Sequence, residues 1–214
     1  MTKALWQPPR LRRDDEQAAE RHATWLELFY DLVFVAAIAE LAHLLSQNIS
    51  WDGFLGFVVL FVPIWWCWVG AAFYATRFDT GGIVDRLFAL VQMAIVAAMA
   101  VNVHHGLNSA GSGFAICYVL FRSTLILQYL NAGYHLSVAR SLARWYATGF
   151  GLSAGLWLIS AFVPPPWRLG LWLVGLVIDF STPFSAGRLV AKIPPSMSHI
   201  PERIGLFTLI VLGE

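Results

Sequence analysis

The chain has 214 residues, of which 58% are hydrophobic and 13% charged, against about 45–50% and about 25% in soluble domains. Ten tryptophans and fifteen phenylalanines strengthen the bias, and the formal net charge is only +1. These values indicate a membrane protein whose first partner is the lipid bilayer, and they give no case for nucleic acid, which needs a strongly basic surface.

Residues 1–22 form a polar arm with Pro8-Pro9, the basic Arg10, Arg12 and Arg13, and the acidic Asp14-Asp15-Glu16. That composition predicts a mobile segment. A first span follows over about 24–47, and about 20 apolar residues at roughly 1.5 Å each are enough to cross the hydrocarbon. The apolar run is too long for a signal-peptide core, so this helix is expected to stay attached. Yet it carries Glu27, Asp31, Glu40 and His43. An ionisable group near the bilayer centre costs roughly 2.5–3.5 kcal/mol, so a helix that only anchors would not keep four. Glu27 and Asp31, spaced i, i+4, share one face; Glu40 and His43, spaced i, i+3, share roughly the opposite one. A helix with polar groups on two sides suits the inside of a bundle.

Five more spans are predicted over about 54–76, 86–104, 113–137, 145–163 and 167–184. The second holds Pro63, tolerated in membrane helices where neighbours satisfy the freed carbonyl, and Trp65-Trp66-Cys67-Trp68, expected to pack or sit at the interface. Cys67 and Cys117 both fall in apolar spans and are expected as small core residues. Pro164-Pro165-Pro166 enforces a break between the fifth and sixth spans, and a seventh opens at Pro201. The predicted fold is an all-α polytopic transmembrane bundle: a cytoplasmic arm over 1–22, six helices over 23–185, a cytoplasmic loop over 186–200 and the start of a seventh span over 201–214.

Lysines and arginines set the orientation. Lys3, Arg10, Arg12, Arg13 and Arg21 precede the first span, Arg77 and Arg86 join the second to the third, Arg140 and Arg144 the fourth to the fifth, and Arg188, Lys192 and Arg203 the sixth to the seventh. The alternate loops carry only Arg168, while Arg122 lies inside a span. Twelve against one places the N-terminus in the cytoplasm.

Glu27-Leu-Phe-Tyr-Asp-Leu-Val-Phe-Val, with Pro201-Glu-Arg-Ile-Gly-Leu-Phe-Thr-Leu-Ile-Val-Leu-Gly-Glu214 far downstream, resembles the bacterial low-temperature-requirement protein A family. The resemblance runs from about Arg21 to the end and implies a polytopic bacterial inner-membrane protein with no firmly assigned biochemical activity. The first and the seventh spans are each preceded by a Glu-Arg pair (Glu20-Arg21 and Glu202-Arg203), with an acid ten or eleven residues after the arginine (Asp31 and Glu214), which points to a parallel repeat of a six-helix unit.

Counting from the helix ends places Glu40, His43, Asn102, His104 and His105 near the outer side. Glu27, Asp31, Asp85, Arg86, Gln128, Asn131, His135 and Asp179 fall near the inner side, with an apolar layer between the two groups. Arg122 lies slightly outside the middle, and depth favours Glu40 as its partner, because Asp31 should sit roughly 12 Å lower. The guanidinium serves either as half of a structural ion pair or as an anion or gating site. Glu27 and Asp31, with Asp179, form either an inner cation or proton site or a set of interfacial pairs with Arg21, Arg77 or Arg86. On the fourth helix Thr124, Gln128, Asn131 and His135 make one stripe that either lines a path or joins helices by hydrogen bonds. Adjacent His104-His105 is expected as an interfacial pair, so neither a metal nor another cofactor is expected.

Transport or conduction of a small ion or solute is the leading expectation. A structural or stress-response membrane protein, or a membrane-embedded lipid-modifying enzyme, are the alternatives, the last without any recognisable nucleophile–base spacing. A homo-oligomer is compatible with all three.

Overall fold

The computed structural model describes residues 9–11, 25–79, 82–107, 111–194 and 200–213, with backbone alone at 79, 200–203, 206 and 212. The described chain is almost wholly helical: α1 (Trp25–Gln47), α2 (Trp51–Arg77), α3 (Ile83–Val101), α4 (Ser112–His135), α5 (Arg140–Ser160), α6 (Trp167–Ser185), the single turn α7 (Gly187–Val190) and α8 (Ile200–Gly213). The first four are long and apolar enough to cross a membrane. α5 and α6, with 21 and 19 residues, occupy the expected fifth and sixth spans but are more polar: Arg140 and Arg144 open α5, and α6 carries Arg168 and Asp179. The all-α fold is as expected.

Local chemistry explains where the helices begin. Ser50 caps α2 by accepting a hydrogen bond from the Gly53 amide (3.1 Å), so the helix starts at Trp51, three residues before the expected boundary. It then runs through the buried Pro63 to Arg77 as one element. Leu136 is extended and a 3₁₀ turn at Ser137–Ala139 leads straight into α5, earlier than expected. Beyond α6 the expected cytoplasmic loop is partly structured, since α7 and the turn after it bury Ala186 and Ile193.

One part of the expected mobile arm is fixed. Arg10–Leu11 (β1) pairs antiparallel with Phe78–Asp79 (β2), with Leu11 opposite the buried Phe78. Leu11 packs on the cluster containing Phe78, Tyr74 and Tyr129, which gives a reason for the contact in an otherwise polar arm. Apart from Pro9, the rest of the arm, including Glu20 and Arg21, lies outside the described residues, as do the side chains of Glu202 and Arg203 and all of Glu214.

In the packing, α1 lies against α2, α3 and α8, α4 against α2, α3 and α5, and α6 against α5. Membrane helices approach closely through small residues, since lipid offers no hydrophobic drive between them. α5 and α6 do so at Gly175, where a Cβ would lie 2.7 Å from the Trp157 ring, and at Gly149, where it would meet Thr182.

Candidate functional site

Among the described residues, buried polar side chains gather in several assemblies. In the first, Arg122 Nε on α4 and Asp179 Oδ2 on α6 are 3.2 Å apart, and neither side chain has any exposed surface. The Tyr118 hydroxyl, one turn before Arg122, joins both: it donates to Asp179 and accepts from Arg122 Nε (3.0 Å) and Nη2 (2.9 Å). Aromatic rings close the rest. Phe150 and Tyr118 lie 5.0 and 5.1 Å from the guanidinium carbon, Trp157 stacks on Tyr118 at 4.0 Å, and Trp172 stacks on Trp157 at 4.6 Å. A guanidinium removed from water needs such a counter-charge and ring faces, because desolvation otherwise exceeds the Coulombic gain.

Arg122 therefore pairs with Asp179 and not with Glu40. Glu40 is 52% exposed and lies 3.4 Å from His104 at the far end of α1. The depth count went wrong because it assumed that helices end level. Asp179 is about two turns from the end of α6 and Arg122 nearly four from the end of α4. After Ser185 the chain still feeds Ala186 and Ile193 into the core, so α6 ends short of α4 and Asp179 stands at the level of Arg122. It is not part of a group with Glu27 and Asp31.

The second assembly joins α1, α3 and α4. Tyr30 donates to Gln92 Oε1 (2.9 Å), and Gln92 Nε2 donates to Thr124 Oγ1 (3.1 Å) and Gln128 Oε1 (2.9 Å). All four residues are buried. Gln92 was absent from the sequence candidates, although it is the one polar residue of α3 beyond Arg86 and could have been found on that ground. The expected stripe on α4 divides: Thr124 and Gln128 face α3, Asn131 is half-buried, and His135 is exposed against Tyr134. Towards the far end Phe34 meets Phe121 edge-on at 5.9 Å, and Ile38, Leu41, Val96 and Met99 are buried around them. This apolar layer separates the amides from Glu40, His104 and His43, whose ring contacts Gln47 at 3.0 Å.

The third assembly lies on the other face of α1. Trp68 Nε1 on α2 donates to Asp31 Oδ1 (2.8 Å), and the Trp68 ring stacks on Phe207 of α8 at 4.1 Å and 14°. Glu27, one turn earlier, is half-buried. The fourth closes the end where α2 finishes. Arg77 donates to the Tyr129 hydroxyl (2.9 Å), with Phe73 and Tyr146 5.7 and 5.6 Å from its guanidinium carbon, and Asp85 is buried at the start of α3. Cys67 and Cys117 are buried free thiols in the core. Among the described residues no three His, Cys, Asp or Glu side chains are grouped to hold a metal.

The chain is similar to an uncharacterized protein of Rhizobium meliloti (strain 1021), 28% identical over 218 residues that cover 92% of the chain and 53% of that protein. It thus spans about half the length of that curated relative. No solved structure matches. The family model for the bacterial low temperature requirement A protein (LtrA) matches residues 22–214 and takes in both the acidic α1 and the whole of α8. The chain belongs to the bacterial low temperature requirement A protein family.

Proposed function

We propose that the chain is a multi-pass protein of the bacterial inner membrane that moves a small ion or solute. In this reading α1 to α6 are six complete spans, α8 opens a seventh, and the N-terminus is cytoplasmic. The distribution of lysine and arginine, twelve on one side and one on the other, supports that orientation.

The observation that carries the transport reading is the hydrogen-bonded group of Tyr30, Gln92, Thr124 and Gln128. A single interhelical hydrogen bond in a membrane commonly contributes about 0.6 kcal/mol. Here a phenol, two amides and a hydroxyl from three helices meet at one level, on the same turn of α1 as Asp31. Amide and hydroxyl groups both donate and accept, so they can exchange partners with a passing solute. Asp31 supplies the charge for attracting or relaying a cation or proton. The Phe34–Phe121 layer is the closed barrier.

A structural role is the second reading, and the Arg122–Asp179 pair favours it: the charges are enclosed by rings and serve to fix α4 against α6. Reconstitution into vesicles loaded with pH-sensitive and ion-sensitive dyes separates the two. Ion or solute flux above that of empty vesicles supports transport. A folded, reconstituted chain with no flux supports the structural role.

A further inference from the structure

We propose that Gln92, Thr124, Gln128 and Tyr30 form a site for a monovalent alkali cation, which the Gln92 amide nitrogen occupies in its place. This deepens the transport reading by naming the class of ion, and it is tested by binding, not by flux. The Gln92 NH2 lies between two oxygens, Thr124 Oγ1 at 3.1 Å and Gln128 Oε1 at 2.9 Å, with its carbonyl turned to the Tyr30 hydroxyl at 2.9 Å. The bridging group is a hydrogen-bearing nitrogen with partial positive charge, set among oxygens.

A half-turn about the last side-chain torsion of Gln92 exchanges its nitrogen and oxygen. Tyr30 can answer either end, because a phenol both donates and accepts. Thr124 gives its hydroxyl hydrogen to the Phe121 carbonyl (2.7 Å), so it presents a lone pair and not a hydrogen to the arriving carbonyl while that bond is kept. With Gln128 kept in its present orientation, its carbonyl towards Gln92, the oxygens Gln92 Oε1, Thr124 Oγ1 and Gln128 Oε1 would then face one another with no hydrogen between them, at side chains 2%, 8% and 5% exposed. Three buried acceptors without a donor are costly. A cation at their centre relieves that cost, as oxygen dipoles replace its water shell in ion filters.

The ligand set restricts the ion. All the oxygens are hard and neutral, which suits alkali cations and not transition metals. A divalent ion loses far more hydration than neutral oxygens return, and its protein sites normally include carboxylates. The charged neighbours agree. Arg122, half a turn before Thr124, is already neutralised by Asp179 and faces α6, while Asp31, next to Tyr30, adds negative charge nearby.

The test is equilibrium binding of radioactive rubidium to the purified chain in detergent, with choline holding the ionic strength constant. Saturable binding that potassium or sodium displaces is expected. Thr124→Val and Gln92→Met should each weaken it at least tenfold, and Glu40→Gln, beyond the apolar layer, should leave it unchanged. Gln128→Glu should tighten it and make it pH-dependent, which provides a gain of affinity should the other variants fail to fold. Absence of saturable rubidium binding, or binding that survives both Thr124→Val and Gln92→Met, would overturn the site. Flux without such binding removes this site but leaves transport standing; binding without flux retains the site and removes transport.

Discussion

Arg122 and Asp179 face each other across α4 and α6 at 3.2 Å, with no part of either side chain exposed. Removing one partner leaves the other charged and buried, so Arg122→Leu or Asp179→Leu alone should cost about 3–5 kcal/mol. The double change should be less damaging than the sum of the singles, because it removes both charges together. Unfolding in detergent, followed by tryptophan fluorescence, measures the cycle. Additive losses would show that the two residues act independently.

Gly175 is where α6 admits the Trp157 ring. A Cβ there would lie 2.7 Å from both Trp157 Cδ1 and Nε1, whereas one on Gly155 would meet nothing within 4 Å. Gly175→Ala should therefore destabilise by about 1–3 kcal/mol through overpacking. Gly155→Ala should be neutral or slightly stabilising, by up to about 1 kcal/mol, because alanine is the better helix former. Equal effects of the two substitutions in thermal unfolding would contradict the packing described.

Orientation is checked by reporter fusions. Those after Gln47 and Gly111 should read external, and those after Thr80 and Ser141 cytoplasmic. One inversion among the four would break the count of six complete spans.

The Asp31–Trp68 hydrogen bond distinguishes shape from charge. Asp31→Asn keeps an oxygen acceptor for Trp68 Nε1, now 2.8 Å away, whereas Asp31→Leu removes the acceptor of that hydrogen bond. The leucine variant should lose about 1–3 kcal/mol of stability and the asparagine variant much less. Matched losses in the two would mean that the charge itself holds the helices.

Hydropathy and residue type made the helices legible, because a chain crossing lipid must satisfy its backbone within each segment. The unusual polarity of α1 was legible for the same reason: Asp31 and Glu40 stand out against an apolar run. The partner of Arg122 was not. Depth read from sequence depends on where each helix ends, and α6 stops short of α4 by an amount that only the packing of Ala186 and Ile193 decides. Gln92 escaped notice because an uncharged amide hardly disturbs hydropathy, although a polar side chain inside a membrane helix needs a partner just as an ion does. The β1–β2 contact was also hidden, since two-residue strands leave no periodic pattern.

Flux through the reconstituted chain, with and without Asp31→Asn, shows whether Asp31 on α1 serves ion or solute movement. The expected result is pH- or cation-dependent flux in the parent chain, its loss in a folded Asp31→Asn variant, and little change in Glu27→Gln. Unchanged flux in Asp31→Asn, or failure of that variant to fold, would contradict it and leave Asp31 as a structural partner of its neighbours.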